Sequence, residues 1–265
     1  MLALPPFVLT RPEGRNAALA ACLRRQGRQV LELPALQIHP LAAKTSTLPL
    51  PGDYDLVVFV SGIAARLYAR QLQDVAGLSR WPSAVPAACV GPATAAAMQG
   101  GFWPPSMRIV HPGPDAPTHD SEALWQELQQ SGLTLRKVLV VRGNVGREWL
   151  SDQLVQAGCH VERHAVYLRE RAIWSAAALD TLAAWRDAAI SPVWLVTSAQ
   201  GLQALHLGVV EAGMQAWWQE HRFVVTHPKL VDSLASVMGW ADKDAQAMVK
   251  ICLPDDDAIA QALLA

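Results

Sequence analysis

The chain has 265 residues, of which 51% are hydrophobic and 17% charged, and its formal net charge is −1. That length predicts about two domains, and the apolar content excludes an intrinsically disordered chain. The near-zero charge excludes the broad basic footprint of a nucleic-acid or anionic-membrane binder, and no run of ~18 apolar residues is present to span a bilayer.

In chain order, Phe7–Thr10 reads as a buried strand, followed by the loop Arg11–Gly14, a helix over Arg15–Arg25 and a strand over Val30–Leu33. The chain enters this first strand with no signal-peptide pattern, so a cytoplasmic, soluble protein is expected. Pro34–Pro51 is proline-rich and predicted to be irregular. The run DLVVFV (Asp55–Val60) is a strand buried on both faces, with the turn and helix SGIAARLYARQL after it. A short strand at Ala87–Val90 leads into GPATAAAM, a Gly-Pro turn opening a helix. Arg108–His111 is another strand, and Ser121 is predicted to cap the helix Glu122–Gln130. The strand VLVV, the turn RGNVGR, the helix Glu148–Ala157 ended by Gly158, and the strand Val161–Tyr167 make a strand–helix–strand unit.

That unit occurs twice. Phe7–Leu36 matches Lys137–Glu170 with a one-residue shift around the loop: Arg11 falls on Arg142, Gly14 on Gly146, Arg15 on Arg147, Gly27 on Gly158 and Val30 on Val161. After a helix without a counterpart (Ser175–Arg186), Val193–Val196 with TSAQGLQAL repeats DLVVFV with its helix. Phe223–Val225 with THPKLVDSLASVMG then repeats AACV with GPATAAAMQGG, and Val249–Leu253 with its helix repeats RIVHP. If the middle half runs a-b-c-d-e, the outer half runs d-e, an interruption, then a-b-c. The expectation is therefore two α/β lobes, each a parallel five-stranded sheet, with one inserted into the other. Residues 1–34 plus 172–265 would form the discontinuous lobe and 39–166 the inserted one. Residues 35–38 and 167–171 would be two crossings forming a two-stranded hinge, with a ligand cleft between the lobes.

Open parallel sheets bind ligands at the carboxyl ends of strands. The candidate binding residues are therefore Thr10, Arg11, Ser61, Gly62, Gly91, Thr94, Arg142, Gly143, Ser198, His227 and Lys229, in loops expected to precede helix N-termini that favour anions. Taken singly, each hydroxyl or glycine is as readily a cap or turn residue; taken together, they point to a polyanion. No dinucleotide-binding or P-loop glycine pattern, nucleophile elbow or zinc-ligand histidine spacing occurs. Asp255–Asp257 reads as a helix-start cluster rather than a metal site. The four scattered cysteines read as small buried hydrophobes of a reducing compartment, and the ten tryptophans as packing residues. Tyr167, one of only three tyrosines, is singled out as a proton donor at the second crossing. A structural tyrosine at a hinge is the competing interpretation.

The ordered set TRPEG, DLVVFVSGIAAR, VGPATA, RGNVGREWL with the following QAG, VYLRE and TSAQGL resembles the uroporphyrinogen-III synthase family along nearly the whole chain. The resemblance implies two flavodoxin-like lobes and no metal or organic cofactor. It implies a lyase reaction that cyclises hydroxymethylbilane to uroporphyrinogen III through a spiro intermediate, inverting the terminal pyrrole. Tyr167 matches the tyrosine that assists hydroxyl departure, Thr94 a threonine near it, and Ser61 and Ser198 hydroxyl positions on the two lobes; Gly91, Arg142 and Gly143 would bind carboxylates. Val60 and Ile63 stand where the family often shows T-S-x-N/R, and Arg66 is the expected substitute. The implied partner is the tetrapyrrole substrate, handed over by hydroxymethylbilane synthase to a monomer. The alternatives are a non-catalytic two-lobe polycarboxylate-binding protein, or a two-lobe nucleotide-sugar transferase, for which no diphosphate-binding motif is present.

Overall fold

Short apolar runs become strands, and the helices between them cover both faces of the sheets they form. The computed structural model describes residues 4–265. In chain order the first elements are β1 (Phe7–Leu9), α1 (Ala17–Arg25), β2 (Val30–Glu32), β3 (Leu36–Pro40), β4 (Leu56–Phe59), α2 (Gly62–Ala76), β5 (Ala87–Cys89), α3 (Pro92–Ala96) and β6 (Ile109–Val110). Then come α4 (Ser121–Gln130), β7 (Lys137–Gly143), α5 (Trp149–Gln156), β8 (His160–Arg171), α6 (Ala176–Asp187), β9 (Val193–Val196) and α7 (Ala199–Glu211). The last are α8 (Gln215–Trp218), β10 (Arg222–Val225), α9 (Lys229–Met238), α10 (Asp242–Met248), β11 (Val249–Ile251) and α11 (Asp256–Leu264). The chain divides into two compact units, one of residues through Ile38 with Glu170–Ala265, the other His39–Arg169.

The first unit holds a five-stranded sheet in the order β11-β10-β9-β1-β2, every pair parallel. Numbered along the discontinuous unit, this is the 2-1-3-4-5 order of flavodoxin-like folds. Alternation within each strand sends neighbouring side chains to opposite faces. Val8, Trp194, Val196, Phe223 and Val225 pack into one core with α6, α7 and α9. Phe7, Leu9, Leu195 and Val224 pack into the other with α1 and α11. Burying side chains of this kind is worth roughly 1.5–3 kcal/mol each, and doing so on both faces is what made these runs continuously apolar in sequence.

The second unit holds a six-stranded sheet in the order β3-β8-β7-β4-β5-β6. Its last five strands repeat the order of the first unit, with parallel pairing throughout. The registers carry the same duplication: Phe7 lies opposite Val30 and Val138 opposite Val161. The glycine that turns each helix back into its strand, Gly27 or Gly158, has φ of 74° or 90°, a conformation open to glycine and costly for most other residues. Under the sheet, Phe59 of β4 meets Trp81 and Trp103 at ring-centroid distances of 5.8 and 5.6 Å. This edge-to-face packing stiffens the strand that leads into Ser61.

Three local expectations are corrected. The stretch Pro34–Pro51, expected to be irregular, contains β3, because β8 offers it a partner. The Leu41 N–H donates to the Val166 carbonyl and the Ala172 N–H to the Ala35 carbonyl, so residue numbers rise on one strand as they fall on the other and the pair is antiparallel. For the same reason the strand expected to end at Tyr167 continues to Arg171. The cap of α4 is Asp120, whose carboxylate accepts the Ala123 N–H, and not Ser121, which is the first helical residue. Among the described residues no helix is long and apolar enough to cross a membrane, and no cluster of three or more His, Cys, Asp or Glu side chains is placed to hold a metal ion.

Candidate functional site

In the second unit the order of connection reverses between β4 and β7, the position where open α/β sheets leave a crevice at their carboxyl ends. Val60 continues β4 by donating its N–H to the Val141 carbonyl. Ser61 then turns extended and caps α2, accepting the Ala64 N–H at 3.2 Å. On the other side of the reversal, the β7–β8 ladder slips after Arg142: Arg142 faces Ala165, but Gly143 faces Tyr167. This bulge inserts one residue into β8 and re-aims the side chain after it. The ring of Tyr167 thereby lies against Gly143, where a Cβ would sit 2.5 Å from Cε2. Its hydroxyl comes within 3.3 Å of Ser61 Oγ, and the Asn144 N–H holds the Tyr167 carbonyl at 2.9 Å. Tyr167 is 1% exposed.

Arg169 completes the group. Its Nη2 donates to the Tyr167 hydroxyl at 3.1 Å, its guanidinium carbon stands 5.4 Å from the ring centroid, and its backbone N–H donates to Asn144 Oδ1. Sequence reasoning missed it. The motif VYLRE contains it, but only the bulge and the i, i+2 spacing on a strand bring its side chain back over the tyrosine.

The other residues expected in this unit surround the same strand ends. Gly62 packs on α3, where a Cβ would lie 2.9 Å from that of Ala97 and 3.4 Å from the exposed Arg66 guanidinium. Gly91 is buried against His119, its would-be Cβ 3.0 Å from that side chain. Thr94, in the first turn of α3, is buried. Behind Gly91, burial pushes the Cys89 thiol up to about 11, keeping it protonated and inert. Arg142 lies buried beneath the glycines: its Nε donates to the Gly143 carbonyl and its Nη1 is paired with Glu148. A Cβ at Gly146 would meet Arg142 Nη2 at 2.8 Å. The guanidinium expected to bind carboxylates is thus already paired with a carboxylate, shared with Arg163, and used to hold the β7 loop.

In the first unit, Thr10, Arg11, Ser198, His227 and Lys229 stand at the ends of the adjacent strands β1, β9 and β10. Thr10 is buried and donates to the Leu195 carbonyl. Arg11 repeats the fate of Arg142, being buried and paired with Asp256 at 2.7 Å. Asn16 in turn donates to the Leu9 and Arg11 carbonyls. Ser198 caps α7 through the Gly201 N–H at 3.1 Å, as Ser61 caps α2. His227 is exposed and its Nδ1 accepts the Lys229 N–H; Lys229 is exposed. Asp255 caps α11 through the Ala258 N–H. Each unit thus gathers its own candidates at its own strand ends, and the second unit alone adds a phenol and a guanidinium to them.

These features define an α/β protein of two flavodoxin-like units with hydroxyl-rich, carboxyl-end loops. A family model described as uroporphyrinogen-III synthase HemD matches residues 17–240, and the chain belongs to that family. It is 26% identical over 263 residues to the uroporphyrinogen-III synthase of Escherichia coli (strain K12), covering 97% of this chain and 99% of that protein. It is 27% identical over 269 residues to that of Salmonella typhimurium (strain LT2), with the same coverage. The fold resembles that of a mutant uroporphyrinogen III synthase from the extremely thermophilic bacterium Thermus thermophilus, with a TM-score of 0.54 at 13% identity over 92% of this chain and 95% of that one.

Proposed function

We propose that the chain is a lyase that converts hydroxymethylbilane to uroporphyrinogen III and water, and that Tyr167 is its proton donor. The observation that carries this reading is the placement of the Tyr167 hydroxyl 3.3 Å from Ser61 Oγ at the carboxyl-end reversal of the sheet, in a chain of this family. In the first step the C–O bond of the hydroxymethyl group breaks, its electron pair going to oxygen while the pyrrole nitrogen lone pair forms an azafulvene-type cation. The departing oxygen takes the phenolic proton and leaves as water. The substituted carbon of the terminal pyrrole attacks the cation to give the spiro intermediate, which fragments and recloses with that pyrrole inverted. The proton lost as the ring regains aromaticity returns to the phenolate. No step calls on a metal or an organic cofactor.

Because the bilane also cyclises unaided to the uninverted isomer, the protein's task is to hold one conformation. On the second unit the substrate's carboxylates would be held by the capped helix start at Ser61, by Gly62, Gly91, Thr94 and Gly143 and by the exposed Arg66; the candidates on the first unit are Thr10, the capped helix start at Ser198, and Lys229 with His227 beside it. Arg11 and Arg142, each already paired with a carboxylate, would support their loops. We further propose a cytoplasmic monomer that receives its substrate from hydroxymethylbilane synthase. The test is to generate hydroxymethylbilane freshly, incubate it with and without protein, oxidise the products and separate the uroporphyrin isomers. Predominantly type III product is expected. Type I alone, as in the protein-free control, would reduce the chain to a polycarboxylate-binding protein.

A further inference from the structure

A guanidinium has hydrogens to donate and no lone pair to accept with. Arg169 Nη2 approaches the Tyr167 hydroxyl at 3.1 Å, so it occupies a lone pair of that oxygen and the phenolic hydrogen must point elsewhere. The other polar atom placed at this oxygen is Ser61 Oγ, at 3.3 Å. Ser61 already accepts the Ala64 N–H at the start of α2 and has a second lone pair for the phenol. Arg169 thereby imposes a direction on the O–H bond, toward the carboxyl end of β4. The Ser61 contact, at 3.3 Å, is the longer of the two at this oxygen.

The charge on Arg169 is also uncommitted. No carboxylate of the described residues pairs with it, and its Nε is buried with no hydrogen-bond partner. Arg11 and Arg142, by contrast, are paired with Asp256 and with Glu148, the latter shared with Arg163. The Arg169 Nη2–H is a charge-assisted donor to the phenol oxygen.

Resting on the function proposed above, we infer that Arg169 is the positioning residue of Tyr167: it aims the phenolic hydrogen at the departing hydroxyl and stabilises the negative charge left behind on the phenol oxygen. It acts through Tyr167 and exchanges no proton itself.

The experiment is a double-mutant cycle on type III product formation with Arg169→Met, Tyr167→Phe and the double variant. Arg169→Met is expected to lower kcat by roughly 10–100-fold, within the range for a positioned proton donor, while KM changes by less than about threefold. In the Tyr167→Phe background the same change should lower kcat no further, because the group it acts through is gone. Arg169→Lys, which keeps the charge without the fixed fork, should recover part of the rate. Losses that multiply in the double variant, or a change confined to KM, would overturn the inference while leaving the synthase reading intact. An absence of type III product from the unmodified protein would instead overturn the function itself. A readout independent of turnover is NMR of protein labelled at tyrosine Cζ, in which the three tyrosines give three signals. Arg169→Met should move the Tyr167 signal, assigned by its loss in Tyr167→Phe, and leave those of Tyr54 and Tyr68 in place; an unmoved Tyr167 signal would refute the contact.

Discussion

Gly143 and the ring of Tyr167 occupy one another's space: a Cβ on the glycine would lie 2.5 Å from Cε2 and 3.0 Å from Cζ of the tyrosine. The glycine is therefore required by its neighbour and not by a left-handed backbone, since Gly143 has no positive φ.

Gly143→Ala should accordingly force the ring away from β7. Overpacking of this kind costs about 1–3 kcal/mol. Because the displaced atom carries the proposed chemistry, turnover should fall by more than the lost stability accounts for. Thermal melting and product assays on the same preparation check this, and an alanine variant with normal turnover would show that the ring position is not critical.

Tyr167→Phe keeps the ring and its packing on Gly143 and removes the oxygen held by Arg169 and Ser61. Stability should change by no more than about 1–2 kcal/mol, while type III formation should fall on the order of 100-fold. Normal turnover of a folded variant would remove Tyr167 from the mechanism.

Ser61 and Ser198 make the same cap in the two units, yet only Ser61 touches a phenol. Replacing either by alanine should cost ~1 kcal/mol as a lost cap. Ser61→Ala should in addition perturb the rate beyond the effect of Ser198→Ala. Equal kinetic effects in the two variants would reduce Ser61 to a cap.

His221 lies in the first unit, 1% exposed, and its Nδ1 accepts the Trp194 indole N–H at 3.0 Å. Burial pushes its pKa down from 6.5 to about 4. The unfolded chain therefore binds more protons between those values. The stability from keeping this ring neutral is complete above pH 6.5 and is lost as pH falls to about 4, by up to about 3 kcal/mol. Denaturant melts across that window should lose less stability in His221→Gln, which cannot titrate. Identical slopes in the two proteins would refute the assignment.

The duplication shows how much could be read without coordinates. Continuous apolar runs such as VLVV and DLVVFV are short-range signals of doubly covered strands. The paired glycines Gly27 and Gly158 and the paired serines Ser61 and Ser198 mark helix ends through local backbone chemistry. The repeated order of these signals was enough to imply two similar sheets with one sequence set inside the other, and to bring Tyr167 and the strand-end loops into the candidate set.

What the chain's own order could not decide is where side chains go when strands from distant segments meet. The slip between Arg142 and Gly143 depends on the pairing of two whole strands, and it alone swings Tyr167 onto Gly143. β3 became a strand because β8 needed a partner. Arg11 and Arg142 look free for an anion in sequence, but Asp256 lies 245 positions from Arg11, and Glu148 reaches Arg142 only through the turn of the β7 loop. Arg169 looks like one more charged residue at a strand end until the bulge beneath it turns the phenol into its neighbour. Periodicity and caps are local properties, and one sequence determines them. Pairing register and charge neutralisation are properties of contacts between remote segments, and only the tertiary structure sets them.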